Sequence, residues 1–361
     1  MRLKRKEMRL LTFFEPVSGG QELEPNTTYW VEGQQVAFYA AKTDGDVRVD
    51  NVEFRAFDPT SDYFKENILV TRAGGAGDIL FCFTLLQEIK RRWPDCKLHL
   101  ACHGSYHFVA KKCPAVDVVL DFPLKVTDVP ENAKVINLEG AVENNRGFHA
   151  VDAMFWSVGM ALPRSEQISK DLIYVPNEDQ VSLMHTRWPK KQGVKRIGYQ
   201  WRASSPVRSY PHKNSCILVT MLLLSGYEVV LLGEPDSITI ADKNPNLINL
   251  SEAGLSWEES VSFLKTCDLI IGPDSSSIHF AGAMDIPALG LYGPFKWQYR
   301  TSYFKSVWCF QAVGECAPCF HHSTNKHGLF PEGKPCSRTM ECEVLRTIDP
   351  ERVLNKVKTI L

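Results

Sequence analysis

From Asn67 onward, short apolar runs alternate with longer amphipathic stretches, a rhythm that predicts parallel sheets covered by helices. Ile68–Thr71, Lys97–Ala101, Asp117–Leu120 and Lys134–Leu138 read as strands, with helices over Ala76–Arg92 and around His149–Met160. Polar sequence from Leu162 to Gln192, with Pro163, Pro176 and Pro189, interrupts the rhythm. It then restarts with strands at Arg196–Trp201, Glu228–Leu232 and Leu247–Leu250, and helices at about Ser215–Ser225 and Trp257–Thr266. A strand, turn, helix and strand follow from Asp268 to Pro294. Ahead of Asn67 the pattern differs: Thr27–Val31 and Gln35–Tyr39 are β-prone and separated by Glu32-Gly33-Gln34, which predicts a small antiparallel appendage. The expected organisation is a β-rich appendage (1–62), a Rossmann-like domain (63–185), a second Rossmann-like domain (186–345) with a Cys-rich loop (314–343), and a C-terminal helix (346–361). Two doubly wound α/β domains in tandem predict ligand binding in a cleft at the carboxyl ends of their strands.

Composition narrows the class. The 361 residues are 44% apolar and carry a net charge of −1, so no global field draws the chain to nucleic acid. The concentrated charge, Arg2, Lys4, Arg5, Lys6 and Arg9, reads as a solvated tail and is a candidate for weak contact with anionic lipid. No signal-peptide pattern and no apolar run of bilayer-spanning length is present, so the expected location is the cytoplasm, with peripheral contact at the inner membrane face. Asp44-Gly45-Asp46 matches the D-x-D of metal-dependent sugar transferases, but Asp-Gly between β-prone runs predicts a turn.

The chemistry concentrates in three segments. Arg72-Ala73-Gly74-Gly75-Ala76-Gly77-Asp78 joins the first strand of the alternation to its long helix. Gly74, Gly75 and Gly77 permit a tight turn or close approach to a ligand, although their spacing is neither the dinucleotide fingerprint nor a P-loop. Asp78 in the helix's first turn is either a dipole partner and cap or a general base. In the second segment, Gly272-Pro273-Asp274-Ser275-Ser276-Ser277 closes a strand and opens a small-residue helix, presenting backbone N–H groups and hydroxyls where phosphate is favoured. That points to a nucleotide-sugar site. Asp274 is open to a capping role as well as a sugar contact, and His279 to a place in the core as well as a donor contact. Third, the strand starting at Arg196 runs into a loop carrying Arg202, Ser204, Ser205, Arg208 and Lys213.

Gly77-Asp78-Ile79-Leu80, Arg91-Arg92-Trp93-Pro94 and the Gly272–Ala283 segment together resemble the heptosyltransferases of glycosyltransferase family 9 over about Asn67–Val353. The family signature Gly-Pro-Asp-Thr/Ser-Gly-x-x-His-x-Ala-x-Ala, followed by Pro-x-x-x-Leu-x-Gly, is kept at Asp274, Ser275, His279, Ala281, Ala283, Pro287 and Gly293, with Ser276 where Gly is usual. The resemblance implies a GT-B fold and inverting transfer from a nucleotide-diphosphate sugar, ADP-heptose, without a catalytic metal. It implies Asp78 as base, with Arg202, Ser204, Ser205, Lys213, Glu234, Asp274, Ser275, Ser276 and His279 holding the donor; Arg208 is an alternative to Lys213. The acceptor would be a hydroxyl of a lipopolysaccharide core glycan or of a protein, its choice resting on loops such as Glu139–Gly147.

Cys316, Cys319, Cys336 and Cys342 form C-x2-C-x16-C-x5-C on a polar excursion, a spacing suited to structural Zn or Fe, with His321, His322 or His327 as alternative ligands. Free thiols are the competing reading. Autotransporter-protein heptosyltransferases resemble this arrangement and its N-terminal β-rich extension. The expected activity is metal-independent glycosyl transfer. Its rivals are a nucleotide-sugar epimerase and a non-catalytic nucleotide- or glycan-binding module on the same scaffold.

Overall fold

Strand formation follows the apolar runs, and the loops after each strand collect the polar residues. The computed structural model describes residues 8–13, 23–32, 36, 39, 42, 47–51, 55–63, 65–163, 170–233, 244–320 and 342–361. The expected turn at Asp44–Asp46, Glu234 of the donor set and Cys336 of the cysteine set lie outside these residues.

In the first unit, residues 1–170, the chain runs through β1 (Met8–Phe13), β2 (Thr27–Glu32), β3 (Val47–Asn51), β4 (Arg55–Ala56) and β5 (Asn67–Thr71). There follow α1 (Ala76–Arg92), β6 (Lys97–Cys102), α2 (His107–Ala110), β7 (Val118–Asp121), β8 (Leu124–Lys125) and β9 (Lys134–Asn137). Helices α3 (Ala141–Asn144) and α4 (Ala150–Ser157) complete it. A parallel sheet is ordered β4-β9-β5-β6-β7, so the strand order reverses between β5 and β9. Helix α1 buries Ile79, Leu80, Phe83, Leu86 and other residues at helical spacing. Asp78 in its first turn and Lys90, Arg91 and Arg92 in its last complement the helix dipole.

The N-terminal residues do form an antiparallel sheet, ordered β3-β1-β2-β8. Its membership differs from the sequence reading in two respects. Val36 and Tyr39 of the β-prone Gln35–Tyr39 run are helical, which suits two apolar residues three apart. Arg9 of the expected solvated tail lies within β1. Strand β2 is buried on both faces: Tyr29 and Val31 pack with Leu11, Leu23 and Tyr39, while Trp30 packs with Leu69, Phe122 and Leu124. Strand β4, before residue 62, extends the parallel sheet rather than the antiparallel one.

The second unit is residues 171–361. Its elements are α5 (Glu178–Arg187), β10 (Arg196–Tyr199), α6 (His212–Leu224), β11 (Glu228–Leu231), β12 (Leu247–Asn249), α7 (Trp257–Phe263) and β13 (Leu269–Pro273). They continue with α8 (Ser276–Ala283), β14 (Ala288–Tyr292), α9 (Gln298–Thr301), β15 (Val307–Gln311) and α10 (Pro350–Ile360). Residues 171–185, which the sequence rhythm assigns to the preceding domain, pack here instead: Tyr174 N–H donates to Ala283 O at 2.9 Å, and α5 lies on α7. All six strands pair in parallel in the order β12-β11-β10-β13-β14-β15, the doubly wound 3-2-1-4-5-6 pattern counted from β10. The order reverses between β10 and β13. Among the described residues, no helix is long and apolar enough to cross a membrane.

Candidate functional site

In an open parallel sheet, ligands bind beyond the carboxyl ends of the strands where the order reverses, because the flanking loops part there. Each unit places predicted residues at that point.

In the first unit the reversal lies between β5 and β9, whose carboxyl ends lead into Arg72–Asp78 and Leu138–Glu143. Asp78 is the third residue of α1. Its Oδ2 accepts the Gly75 N–H at 3.0 Å, and its Oδ1 lies 2.9 Å from Arg72 Nη2. The carboxylate therefore caps the helix and pairs with a cation, while about a third of it stays exposed (32%). Arg72 is buried, and its Nη1 donates to Leu138 O at 2.8 Å. Burial opposes its charge, but Asp78, Glu143 and Glu139 outweigh that and hold its pKa well above the usual value. Glu139 accepts the Ala73 N–H, tying the two loops together. Gly74 is required by close approach: a Cβ there would stand 2.7 Å from Asp78 Oδ2 and 2.8 Å from Arg72 Nε. Gly77 is buried in the helix's first turn, and Gly75 is its N-cap.

In the second unit the reversal lies between β10 and β13, which lead into Trp201–Tyr210 and Asp274–Ser277. Asp274 is 5% exposed. Its Oδ1 faces His279 Nε2 at 3.4 Å; its Oδ2 lies 3.7 Å from both Arg208 Nη1 and Arg300 Nε. Burial would raise its pKa, but the hydrogen bond from His279 and the charges of Arg300 and Arg208 hold it well below the usual carboxylate range. Tyr292 is pushed the other way, upward, by burial and by the Asp274 charge.

Arg208 links the two loops. It donates to the hydroxyls of Ser204 and Ser205 and, through Nη1, to Asp274 O at 3.3 Å. Arg202 stacks over the Trp201 ring at 5.6 Å. Lys213 is exposed in the first turn of α6, whereas Arg208 is held among the other candidates. The helix cap is Ser275, in extended conformation, and not Asp274; the Ser275 hydroxyl bonds Ser277 Oγ at 2.9 Å. Ser276 opens α8, half-buried, where helix geometry leaves the first N–H groups without intrahelical acceptors. His279 is buried against Asp274. Sequence reading missed Arg300, held in place over the Phe295 ring at 5.0 Å, and missed Glu143 as a partner of Arg72. Both pairings join residues distant in sequence and leave no spacing signal.

The cysteine excursion returns to its starting point: Gly314 packs on Val344, where a Cβ would meet the valine methyl carbons at 3.0 Å. Burial pushes the Cys342 thiol pKa up, against the backbone N–H groups of Leu345 and Val344, and Cys319 and Cys316 act weakly in the upward direction. Among the described residues, no three side chains are arranged as a metal-holding group.

The model of glycosyltransferase family 9 (heptosyltransferase) matches residues 166–329. Lipooligosaccharide heptosyltransferase 2 of Haemophilus influenzae is 22% identical over 294 residues, covering 64% of this chain and 85% of that protein. Lipopolysaccharide heptosyltransferase 1 of Campylobacter coli is 21% identical over 367 residues, covering 81% and 98%. The fold is similar to that of the Escherichia coli ADP-heptose lipopolysaccharide heptosyltransferase II, with a TM-score of 0.56 at 16% identity over 81% of this chain and 98% of that one. It is also similar to TibC, an iron-containing dodecameric glycosyltransferase from enterotoxigenic Escherichia coli, with a TM-score of 0.57 at 14% identity over 99% and 92%. These likenesses establish the GT-B fold that the family resemblance implies. With the signature segment inside the matched region, these matches mark the chain as a glycosyltransferase whose residues 166–329 are similar to family 9, the heptosyltransferases.

Proposed function

We propose that this enzyme transfers heptose from ADP-heptose, with inversion, to an acceptor hydroxyl, using Asp78 as general base and no catalytic metal. The observation that carries this reading is the placement of both motif segments at the points where strand order reverses. A partly exposed carboxylate can take the acceptor proton as the oxygen attacks the anomeric carbon. The leaving ADP needs fixed positive charge and N–H donors, which Arg208, the α8 N-terminus, Ser204, Ser205 and Ser275 offer. Ser276, Arg202 and Lys213 supply further donors to the same ligand, and Asp274 with His279 holds Arg208 and Arg300 in place.

Titration calorimetry of the whole protein with ADP, GDP and UDP tests this. ADP should bind most tightly, and Arg208→Met should weaken it roughly ten-fold or more, the loss of one charge-assisted contact. Absence of binding to folded protein would remove the donor assignment.

The names of the relatives support a hydroxyl of a lipopolysaccharide core glycan as acceptor; a protein hydroxyl is the second reading, supported by the resemblance to autotransporter-protein heptosyltransferases. The likeness to the iron-containing enzyme extends over 99% of this chain, N-terminal sheet included, against 81% for the lipopolysaccharide enzyme. Cys316, Cys319 and Cys342, with Cys336, would hold one structural metal, iron or zinc, and tie the ends of the excursion together. Elemental analysis should find about one ion per chain, and Cys316→Ser should lose it. A metal-free, fully folded wild-type protein would overturn the site.

A further inference from the structure

Arg72 is buried, yet it serves three carboxylates. Asp78 Oδ1 is 2.9 Å and Glu143 Oε1 3.5 Å from the same nitrogen, Nη2, and Glu139 Oε2 is 3.9 Å from Nη1. One guanidinium cannot neutralise three anions, so the hold of each carboxylate on it depends on the other two. Glu139 has a second duty as acceptor for the Ala73 N–H. Glu143 has no such second duty: its Oε2 is buried without a hydrogen bond among the described residues. Placing a carboxylate that way is costly unless its charge is used.

A carboxylate paired one-to-one with a buried arginine loses proton affinity and becomes a poor base. We propose that Glu143, together with Glu139, is a positioning residue that divides the charge of Arg72 and so keeps Asp78 able to accept a proton. The inference rests on reading Asp78 as the base. The other groups around this cluster do not carry the charge that does the dividing. Tyr106, facing Asp78 from the 104–106 turn, has its pKa raised by burial and by the Asp78 charge. Cys82, one turn along α1, has its thiol pKa pushed up by burial. Tyr39, beside Glu139, is pushed up to about 12 by burial and by Glu139. All three are neutral near pH 7, and among the described residues Arg72 is paired with Asp78, Glu139 and Glu143.

The sign is fixed. Removing the Glu143 charge returns more of Arg72 to Asp78 and favours the ionised carboxylate. In full-length protein carrying carboxyl-13C aspartate, the Asp78 resonance, assigned by its loss in Asp78→Asn, should titrate about half to one pH unit lower in Glu143→Gln than in wild type. The thermal midpoint should stay near that of wild type. A purely structural Glu143 would lower the thermal midpoint and leave the titration where it was; an unmoved or raised titration overturns the proposal. Should Glu143→Gln fold poorly, Glu139→Gln must shift the titration in the same downward direction, and a rise there overturns it too. Failure of the base reading looks different: Asp78→Asn would retain turnover while the titration shift persisted.

Discussion

Asp78→Asn should lower the turnover number by roughly 10²- to 10⁴-fold, the usual contribution of a positioned base, with ADP affinity unchanged within about two-fold. Asparagine keeps the shape of the side chain and an oxygen to accept the Gly75 N–H, so the first turn of α1 stays capped. Arg72 keeps Glu139 and Glu143 as counter-charges, so no buried cation is abandoned. What the amide loses is proton affinity, and the expected signature is accordingly a fall in turnover number without a fall in donor binding. Initial rates with ADP-heptose, alongside calorimetry with ADP, separate the two quantities. A variant retaining more than about a tenth of wild-type turnover would exclude Asp78 as base.

Asp274→Asn should instead destabilise the second unit by about 3–5 kcal/mol, because it leaves buried cations without their counter-charge. Arg208, His279 and Arg300 all converge on this one carboxylate. Its folded pKa lies below the unfolded value, so its stabilisation is fully present above about pH 4 and is lost as pH falls through the depressed folded value. Denaturant titrations of wild type and variant should therefore differ most near neutrality and converge as the medium becomes acidic. A stability gap that stays constant from about pH 7 to pH 3 would show that the carboxylate charge is not what holds the node.

Both variants act on residues that the sequence displays, and the reasons differ from those that hid their partners. Asp78 and Asp274 stand out because each follows a short apolar strand and lies at the start of a helix, Asp78 in its first turn and Asp274 just ahead of it, a local pattern that a linear reading detects. The strands from β5 to β14, β8 excepted, were legible for the same reason: short apolar runs bounded by polar or charged residues, glycine or proline. Strand β8 is two residues long and carries no periodicity, and β1 follows a basic run that disguised it. Val36 and Tyr39 satisfy strand composition and helix spacing equally, and packing of Tyr39 against Leu11 and Val31 accompanies the helical outcome. Arg72, Glu143 and Arg300 gain meaning only from neighbours far along the chain. A buried arginine implies a buried carboxylate, but nothing in the sequence says which one.

The position of β8 has a consequence for synthesis of the chain. Strands β1 to β3 leave the ribosome early, whereas the strand that covers the outer edge of β2 is encoded roughly 90 residues after β2 ends, a delay of roughly 5 to 20 seconds at ordinary translation rates. Throughout that interval the nascent sheet shows an open edge, with Trp30 not yet packed against Phe122 and Leu124. Neighbouring nascent chains on one polysome would present the same edge to one another, so the yield of native enzyme should depend on how quickly the ribosome delivers the stretch up to Lys125.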